Sequence, residues 1–181
     1  MKERRIVLGV SGSIAAYKAA ELVRCFVRGG NDVRVIMTAG ACEFINELTF
    51  RTLSRNPVGI EMFPAAAEWK PDHMSFAEFA EVLVVAPCTA NVLAKAALGL
   101  SDDLLSCTIL ACRAPLVIAP AMNENMWKAP ATQANVQTLQ ARGVRIVMPG
   151  SGDLACGWQG EGRLAELELI EAAVAEALDA G

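Results

Sequence analysis

The sequence predicts an α/β fold with a doubly wound parallel sheet. Short apolar runs such as Ile6–Val10 and Val82–Ala86 recur along the chain, and stretches with helical periodicity separate them. Strands that are apolar along their whole length are typical of sheets covered on both faces. The alternation of strands and helices indicates a three-layer sandwich of the Rossmann or flavodoxin-like type. With 181 residues, the chain is expected to form one domain over residues 1–181.

Glycines and prolines mark the element boundaries in the first half of the chain. Gly29-Gly30 ends the first helix, and Pro57, Pro64 and Pro71 make the last segment of this half irregular, with the character of a flap. The predicted elements are, in order, a strand at 6–10, a helix at about 14–28, a strand at 33–37, a helix at 41–53 and the irregular segment at 56–72.

The second half repeats the alternation of strands and helices. The apolar runs are again short enough for strands, and Gly143 ends the helix before the last strand. The predicted elements are a helix at 75–80, a strand at 82–86, helices at about 91–98 and 102–112, a strand at 116–119, a helix at 131–142, a strand at 144–148, a glycine-rich loop and a helix at about 165–179.

Composition excludes several classes of protein. The net charge is −4, the isoelectric point is about 5.1 and the charges are dispersed, which disfavours nucleic acid and anionic membranes as partners. No apolar run approaches the roughly 20 residues that span a bilayer. The chain enters its first strand without a secretory segment, so a cytoplasmic location is expected. A mean hydropathy of +0.35 is high, and we expect the excess to cover the sheet and a subunit interface.

The loops that follow the predicted strands carry the polar motifs. Right-handed crossovers bring such loops to one edge of the sheet, where ligands bind. Ser11-Gly12-Ser13-Ile14 opens the first helix, where backbone N–H groups favour an anion, although Ser13 could simply cap the helix. No G-x-G-x-x-G follows, and the second strand ends at Thr38 rather than at an acidic residue. A dinucleotide is therefore disfavoured, and a mononucleotide phosphate stays open.

Two further loops offer polar groups at this edge. Thr89 and Asn91 follow an apolar strand, as ligand groups or as a helix cap. Asn123 lies between an apolar strand and the pair Met126–Trp127. This pattern suits a pocket with one fixed hydrogen-bonding group and apolar walls, or a loop packed on the core.

Two residues are candidates for proton transfer. His73, the one histidine, titrates near neutrality and could act as a base, or it could be a packing residue. A single histidine and the absence of a CxxC pair also argue against a metal site. Cys156 lies in the glycine-rich stretch 152–163, where the backbone can close over a ligand. Structural cysteines favour packed elements, so we predict a functional thiol.

Taken together, these motifs resemble the homo-oligomeric flavin-containing cysteine decarboxylase family. The resemblance spans residues 5–175, and its specificity lies in the order of the motifs. The matching motifs are Gly12-Ser13-Ile14-Ala15-Ala16, the histidine, the Pro-x-x-Ala-Asn turn, Pro-Ala-Met-Asn-x-x-Met-Trp and Ala-Cys-Gly-x-x-Gly-x-Gly-Arg.

The resemblance implies a flavoprotein domain that holds FMN and no metal. His73 would be the base and Cys156 the proton donor, while Asn123 would bind the substrate carboxylate. The other substrate-binding residues would be Met126, Ala155 and Gly160. The FMN-binding residues would be Gly12, Ser13, Ile14, Thr38, Ala39, Gly40, Thr89, Ala90, Asn91, Val92 and Ala121. One departure is Val92, where the family usually has a threonine.

The implied activity is FMN-dependent decarboxylation of phosphopantothenoylcysteine to phosphopantetheine in coenzyme A biosynthesis. A cysteine amide has no electron sink for decarboxylation, and oxidation of its CH2–SH group to a thioaldehyde supplies one. An enethiolate follows and is then reduced, so no nicotinamide is consumed. The implied partners are this phosphorylated cysteine amide, further copies in a homotrimer or dodecamer, and a phosphopantothenate–cysteine ligase, fused or separate.

Three alternatives stay open. A decarboxylase of a peptide C-terminal cysteine would stop at the enethiol and would need no proton donor at Cys156. A non-catalytic, flavin-binding regulatory subunit would use an acidic tail, and the final residues 175–181 contain no acidic run. A flavin prenyltransferase has a similar fold but lacks the cysteine loop, so it ranks lowest.

Overall fold

Six parallel strands form the central sheet of the protein. The computed structural model describes residues 3–63, 72–153 and 159–180. The strands of this sheet are β1 (Arg5–Val10), β2 (Asp32–Met37), β3 (Val58–Gly59), β4 (Val82–Cys88), β5 (Leu116–Pro120) and β6 (Arg145–Ile146). Their spatial order is β3-β2-β1-β4-β5-β6, and the order reverses between β1 and β4. This is a doubly wound sheet, so the predicted fold class is confirmed.

Nine helices are found in the described part of the chain. They are α1 (Ala16–Arg28), α2 (Ala39–Cys42), α3 (Glu47–Ser54), α4 (Asp72–Phe79), α5 (Ala90–Leu98), α6 (Leu104–Ala111), α7 (Glu124–Lys128), α8 (Pro130–Ala141) and α9 (Leu167–Asp179). Helices α1, α3 and α9 pack together, and α4, α5, α6 and α8 form a second group. Within the described residues, no helix is both long and apolar enough to cross a membrane.

Alternate residues of each strand build the two cores. In β1, Leu8 and Val10 belong to one hydrophobic cluster, which includes residues of α1 and α9. Val7 points to the opposite face and joins a cluster with residues of α5, α6 and α8. β4 alternates in the same way and is buried along its whole length. Burial on both faces explains why these strands read as continuous apolar runs.

A separate antiparallel hairpin follows the sheet. It consists of β7 (Gly150–Asp153) and β8 (Gln159–Arg163). The sequence predicts only a glycine-rich loop here, and that prediction is wrong for the nine residues of these two strands. Glycine is a poor strand former, so local propensity hides the pairing. Gly152 and Gly162 have φ values of 153° and 126°, which an L side chain rarely adopts.

Four other element predictions need correction. The helix predicted at 41–53 is broken, because the Asn46 side chain accepts from the Leu48 N–H at 2.8 Å and starts α3 anew. The irregular segment contains β3, and α4 begins within it, so His73 lies in a helix rather than in a loop. The strand predicted at 144–148 pairs over only two residues. The short helix α7 was missed.

Candidate active site

A cavity of about 510 Å³ opens at the carboxyl edge of the sheet, where the strand order reverses between β1 and β4. Doubly wound sheets bind their ligands at this switch point. The volume lies within the range of roughly 300–1,000 Å³ that is usual for small-molecule sites. Residues 12–15 after β1, 89–90 after β4, 121–123 after β5 and 162–164 at the end of β8 contribute to its lining. The loop motifs after β1, β4 and β5, which the sequence placed at one edge, therefore line one cavity together with the end of the glycine-rich stretch 152–163.

Ser11 links β1 and β4, the two strands between which the strand order reverses. It is fully buried, and its hydroxyl donates to the Pro87 carbonyl oxygen at 2.7 Å. The Ser11 hydroxyl oxygen also accepts from the Thr89 N–H at 2.9 Å. A buried hydroxyl with both partners satisfied fixes the relative position of the loops that leave β1 and β4.

The α1 end of the cavity offers backbone N–H groups. The N-cap position of α1 is Ala15, which provides no side-chain cap. The Ser13 hydroxyl instead accepts from the Ala15 N–H at 3.3 Å, so Ser13 is not the simple helix cap of the alternative interpretation. An uncapped helix N-terminus that borders a cavity is a suitable place for an anion. Gly12, Ser13 and Ile14, all predicted to bind FMN, line the cavity here.

The segment after β2 supports this region from outside the lining. A Cβ atom on Gly12 would lie 2.8 Å from the carbonyl carbon of Gly40, so the two loops are in direct backbone contact. Thr38 caps α2 by accepting from the Ala41 N–H at 3.2 Å. Thr38, Ala39 and Gly40 do not line the cavity themselves. Their predicted contact with FMN therefore stays a prediction.

Some residues of the segment after β4 line the cavity, and others do not. Thr89 and Ala90 line the cavity, and the Thr89 hydroxyl caps α5 by accepting from the Val92 N–H at 3.4 Å. Asn91 is exposed outside the lining. Val92 is 3% exposed and belongs to the core beneath α5. A valine suits that core position, so Val92 can face a ligand only through its backbone.

The segment after β5 brings Ala121, Asn123 and Met126 to the cavity. Asn123 is the N-cap of α7, and its side-chain oxygen accepts from the Asn125 N–H at 2.9 Å. Trp127 is 5% exposed and anchors α7 in the core, while Met126 is 49% exposed. The sequence left open whether this segment forms a pocket or packs as a loop. The segment does both, because Asn123 and Met126 line the cavity while Trp127 packs in the core.

The hairpin forms the remaining wall. The Gly162 carbonyl oxygen accepts from the Met122 N–H at 2.9 Å, which joins β8 to the Asn123 segment. Gly160 lies in β8, next to α7 rather than in the lining. The predicted proton donor Cys156 and the predicted substrate contact Ala155 lie outside the described residues.

His73 is placed apart from the cavity. It lies in the first turn of α4 and does not belong to the lining. Its Nδ1 atom is buried and has no hydrogen-bond partner within the described part of the chain. A buried ring nitrogen without a partner is uncommon in proteins.

Sequence reasoning missed the charged lining. Lys18 and Arg163 both line the cavity, and no Asp or Glu stands among the described residues that do so. Arg163 also forms an ion pair with Glu166 at 3.3 Å. Ile14, Tyr17 and Lys18 have the i, i+3, i+4 spacing that places side chains on one helical face. That spacing is the signal that could have extended the predicted site to Lys18.

The buried thiol beneath the cavity is not a nucleophile. Cys88 ends β4 and is fully buried, and burial raises its pKa far above the ordinary value for a thiol. The thiolate is the reactive form of cysteine, so Cys88 is an inert packing residue.

The fold and the cavity at the switch point define a nucleotide-cofactor protein of the α/β class. The profile of the Flavoprotein family matches residues 1–179, and the chain belongs to that family. The family resemblance predicted from the motifs is therefore confirmed.

Comparison with individual proteins shows which members of the family this chain is similar to. The chain is 44% identical over 170 residues to the coenzyme A biosynthesis bifunctional protein CoaBC of Bacillus subtilis. That match covers 94% of this chain and 42% of the relative, so the chain spans less than half of its length.

Two solved structures are similar over almost their whole length. One is a PPC decarboxylase mutant complexed with pantothenoylaminoethenethiol, with a TM-score of 0.86, 33% identity, and coverage of 98% of this chain and 100% of that one. The other is the FMN binding protein AtHal3, with a TM-score of 0.83, 33% identity, and 99% coverage of both chains.

Proposed function

We propose that this chain is an FMN-dependent decarboxylase that converts phosphopantothenoylcysteine to phosphopantetheine. The observation that carries the proposal is the cavity at the switch point, where the motif residues Ser13, Thr89 and Asn123 meet. Similarity to a PPC decarboxylase over 98% of the chain supports the substrate. Similarity to a coenzyme A biosynthesis protein supports the pathway.

The residues at the cavity fit FMN. The uncapped start of α1 suits a phosphate, and glycine at position 12 lets this loop pack directly against the backbone of Gly40. Among the described residues of the lining, no carboxylate would repel a phosphate. FMN would supply reversible two-electron chemistry, which makes the overall decarboxylation redox-neutral.

Asn123 would orient the substrate. Its side-chain oxygen is held by the Asn125 N–H, which fixes the rotamer of the amide at the cavity wall. An amide nitrogen carries two donors and can bind a carboxylate. Holding the carboxylate there would place the bond that breaks beside the apolar side chain of Met126.

The charges of the lining favour a phosphorylated substrate over a peptide. Lys18 and Arg163 give the cavity a positive potential, and the substrate and FMN each bring a phosphate, with a carboxylate on the substrate. A peptide C-terminal cysteine would bring only one carboxylate. The peptide reaction would bring one phosphate fewer to the same two cations, so the lining suits the phosphorylated substrate better.

Proton transfer would involve Cys156 and His73. In this proposal, the Cys156 thiol gives a proton to the carbon next to the thiol-bearing carbon of the product. His73 would act as the base. Because His73 lies outside the cavity of its own chain, we propose that copies assemble, as a homotrimer or dodecamer, and complete the site. The exposed Ile14 and Tyr17 at the cavity support this assembly.

A ligase that makes the substrate is the expected functional partner. The relative in Bacillus subtilis is bifunctional, and this chain accounts for 42% of its length. We propose that a phosphopantothenate–cysteine ligase works with this chain, either fused to it or as a separate protein.

Anaerobic turnover of phosphopantothenoylcysteine by the FMN-loaded protein tests the function. Phosphopantetheine with oxidised flavin at the end is the expected result. An enethiol product with bleached flavin would instead indicate the oxidative branch, and no reaction would favour a regulatory role.

Two comparisons sharpen this test. The substrate without its phosphate and a peptide that ends in cysteine should both react more slowly than phosphopantothenoylcysteine. The Cys156→Ser variant should accumulate the enethiol with reduced flavin. A Cys156→Ser variant that still makes phosphopantetheine at the normal rate would remove Cys156 from the proton transfer.

A further inference from the structure

Arg163 is a wall residue of the cavity to which the proposed reaction gives no contact of its own. It is the last residue of β8 and ends the glycine-rich stretch 152–163. Its side chain is 42% exposed and lines the cavity. In the proposed reaction it enters only as one of two positive charges, together with Lys18. A charged group in the wall of a ligand cavity is expected to contact part of the ligand.

The backbone before Arg163 lies against the segment that carries Asn123. The Met122 N–H donates to the Gly162 carbonyl oxygen at 2.9 Å. A Cβ on Gly162 would collide with the Met122 carbonyl oxygen and would lie 3.4 Å from the carbonyl carbon of Asn123. The two backbones therefore touch with no side chain between them. Arg163 follows directly, so it lies on the same part of the wall as the residue proposed to bind the substrate.

The side chain of Arg163 is restricted at two points. A Cβ on Gly152 would lie 3.8 Å from its Cδ and 3.4 Å from its Nη1, so the side chain passes over the backbone of β7 at a glycine. Its Nη2 forms an ion pair with Glu166 Oε1 at 3.3 Å. An arginine whose rotamers are already restricted loses less entropy when it binds a ligand.

The ion pair with Glu166 leaves most of the guanidinium available. A guanidinium has five N–H donors, and Glu166 contacts it at Nη2. Glu166 is 61% exposed and does not line the cavity, and an ion pair with so exposed a partner contributes little to stability. Within the described part of the chain, no carboxylate lines the cavity to occupy the other donors. The ion pair therefore orients Arg163 and leaves donors for a ligand.

A phosphate monoester is the ligand group that suits these donors. It carries close to two negative charges at neutral pH and has three acceptor oxygens. The planar fork of a guanidinium binds such a group through two parallel hydrogen bonds, a geometry that a lysine ammonium does not offer. We propose that Arg163 is a specificity-determining residue that binds a phosphate monoester in the cavity. The inference rests on the proposed function, which brings two such groups to the cavity, one on the substrate and one on FMN.

The place of Arg163 favours the phosphate of the substrate. The uncapped start of α1 already suits the phosphate of FMN, whereas Arg163 lies on the wall with Asn123. The substrate carboxylate is a poorer partner for Arg163. Its negative charge must leave as carbon dioxide forms, so an arginine bound to it would stabilise the ground state more than the transition state.

Four variants separate charge, geometry and ion pairing. Arg163→Gln removes the charge, and Arg163→Lys keeps the charge without the planar fork. Glu166→Gln removes the ion pair and leaves the guanidinium. Arg24→Gln is the matched control, because Arg24 is 43% exposed, pairs with Glu21 at 3.2 Å with the same i, i+3 spacing, and lies outside the lining.

Two ratios measure phosphate recognition in the FMN-loaded protein. The substrate ratio is kcat/KM for phosphopantothenoylcysteine divided by kcat/KM for pantothenoylcysteine. The flavin ratio is the Kd of riboflavin divided by the Kd of FMN, measured without turnover by displacing FMN with riboflavin. In Arg163→Gln, the substrate ratio should fall about tenfold or more, and the flavin ratio should stay within about twofold, because hydrogen bonds between charged groups are lost only at the substrate. Arg163→Lys should give an intermediate substrate ratio, and Arg24→Gln should keep both ratios.

A fall in the flavin ratio of Arg163→Gln would also support phosphate binding and would identify FMN as the source of the phosphate. Two unchanged ratios would overturn the inference, and so would equal losses for the phosphorylated and unphosphorylated compounds, which indicate a structural role. Glu166→Gln should lose much less of the substrate ratio than Arg163→Gln, and an equal loss would overturn the inference as well. A wild type that does not decarboxylate phosphopantothenoylcysteine would refute the proposed function, and the flavin ratio of Arg163→Gln would then decide the inference by itself.

Discussion

The Ser11 hydroxyl donates to the Pro87 carbonyl oxygen at 2.7 Å and joins β1 to β4 at the place where the sheet changes direction. We expect Ser11→Ala to destabilise the fold by about 1–3 kcal/mol, because the Thr89 N–H loses its acceptor and the Pro87 carbonyl oxygen keeps only the Ser11 backbone N–H as donor. Urea unfolding measures this loss, and a fluorescence titration should show weaker FMN binding. Ser101→Ala, at an exposed loop position, should change stability by less than about 0.5 kcal/mol. Equal effects of the two substitutions would contradict the prediction.

Gly12→Ala should impair cofactor binding through the backbone. The new methyl group would meet the Gly40 carbonyl carbon at 2.8 Å, and neither loop can yield by rotating a side chain. We expect a destabilisation of about 1–3 kcal/mol and at least about tenfold weaker FMN binding. Gly150→Ala is the control, since no atom lies within 4 Å of its added Cβ. Normal FMN affinity in Gly12→Ala would show that the contact between the loops is not needed.

Asn123 has a capping role that must be separated from substrate binding. Asn123→Ala removes both the cap of α7 and the amide, whereas Asn123→Ser keeps a side-chain oxygen that can cap. We expect both variants to lose about ten- to a hundredfold in kcat/KM for phosphopantothenoylcysteine, as for a lost hydrogen bond to a charged group. Near-normal kinetics of Asn123→Ser would mean that only the cap matters.

The ion pair of Asp103 with Lys95 should make stability depend on pH. The two side chains meet at 2.6 Å. Burial opposes ionisation of Asp103, but hydrogen bonds from Lys95 and Ser106 outweigh it and lower its pKa. A lowered pKa in the folded state stabilises the protein above the ordinary pKa near 4, and this contribution is lost as the pH falls through the lower folded value.

The Asp103→Asn variant measures that contribution. Asn can still cap α6, so the comparison isolates the charge. We expect wild type to be more stable by about 1 kcal/mol near pH 7, with the difference shrinking at about pH 3. Urea unfolding at both pH values checks this, and a difference that does not change with pH would refute the electrostatic origin.

The sheet was predictable because its strands are apolar on both sides. β4 is buried at all seven positions, so no polar residue interrupts the run that marks it. β3 and β6 pair over only two residues each, too few for a periodic pattern to emerge. The start of α4 was hidden by Pro71-Asp72, which read as part of the irregular segment although a first helical turn tolerates acidic residues.

The candidate site was predictable where a motif follows a strand. Ser13, Thr89 and Asn123 line the cavity because each lies just past the carboxyl end of a parallel strand. Lys18 and Arg163 were missed since one lies inside a helix and the other in a strand that local propensity does not indicate. The relation of His73 to the cavity could not be predicted, because it depends on packing and, in the proposed assembly, on a second copy.

The hairpin of β7 and β8 makes no pairing with the six-stranded sheet. Among the described residues, it contacts the α7 segment where the Gly162 carbonyl oxygen accepts from the Met122 N–H and where the Glu124 side chain lies against Gly160. We therefore expect that the hairpin can be replaced without changing the sheet that supports the proposed cofactor site. A graft that preserves these four anchor positions would be the natural starting point for redesigning which cysteine compound the cavity accepts.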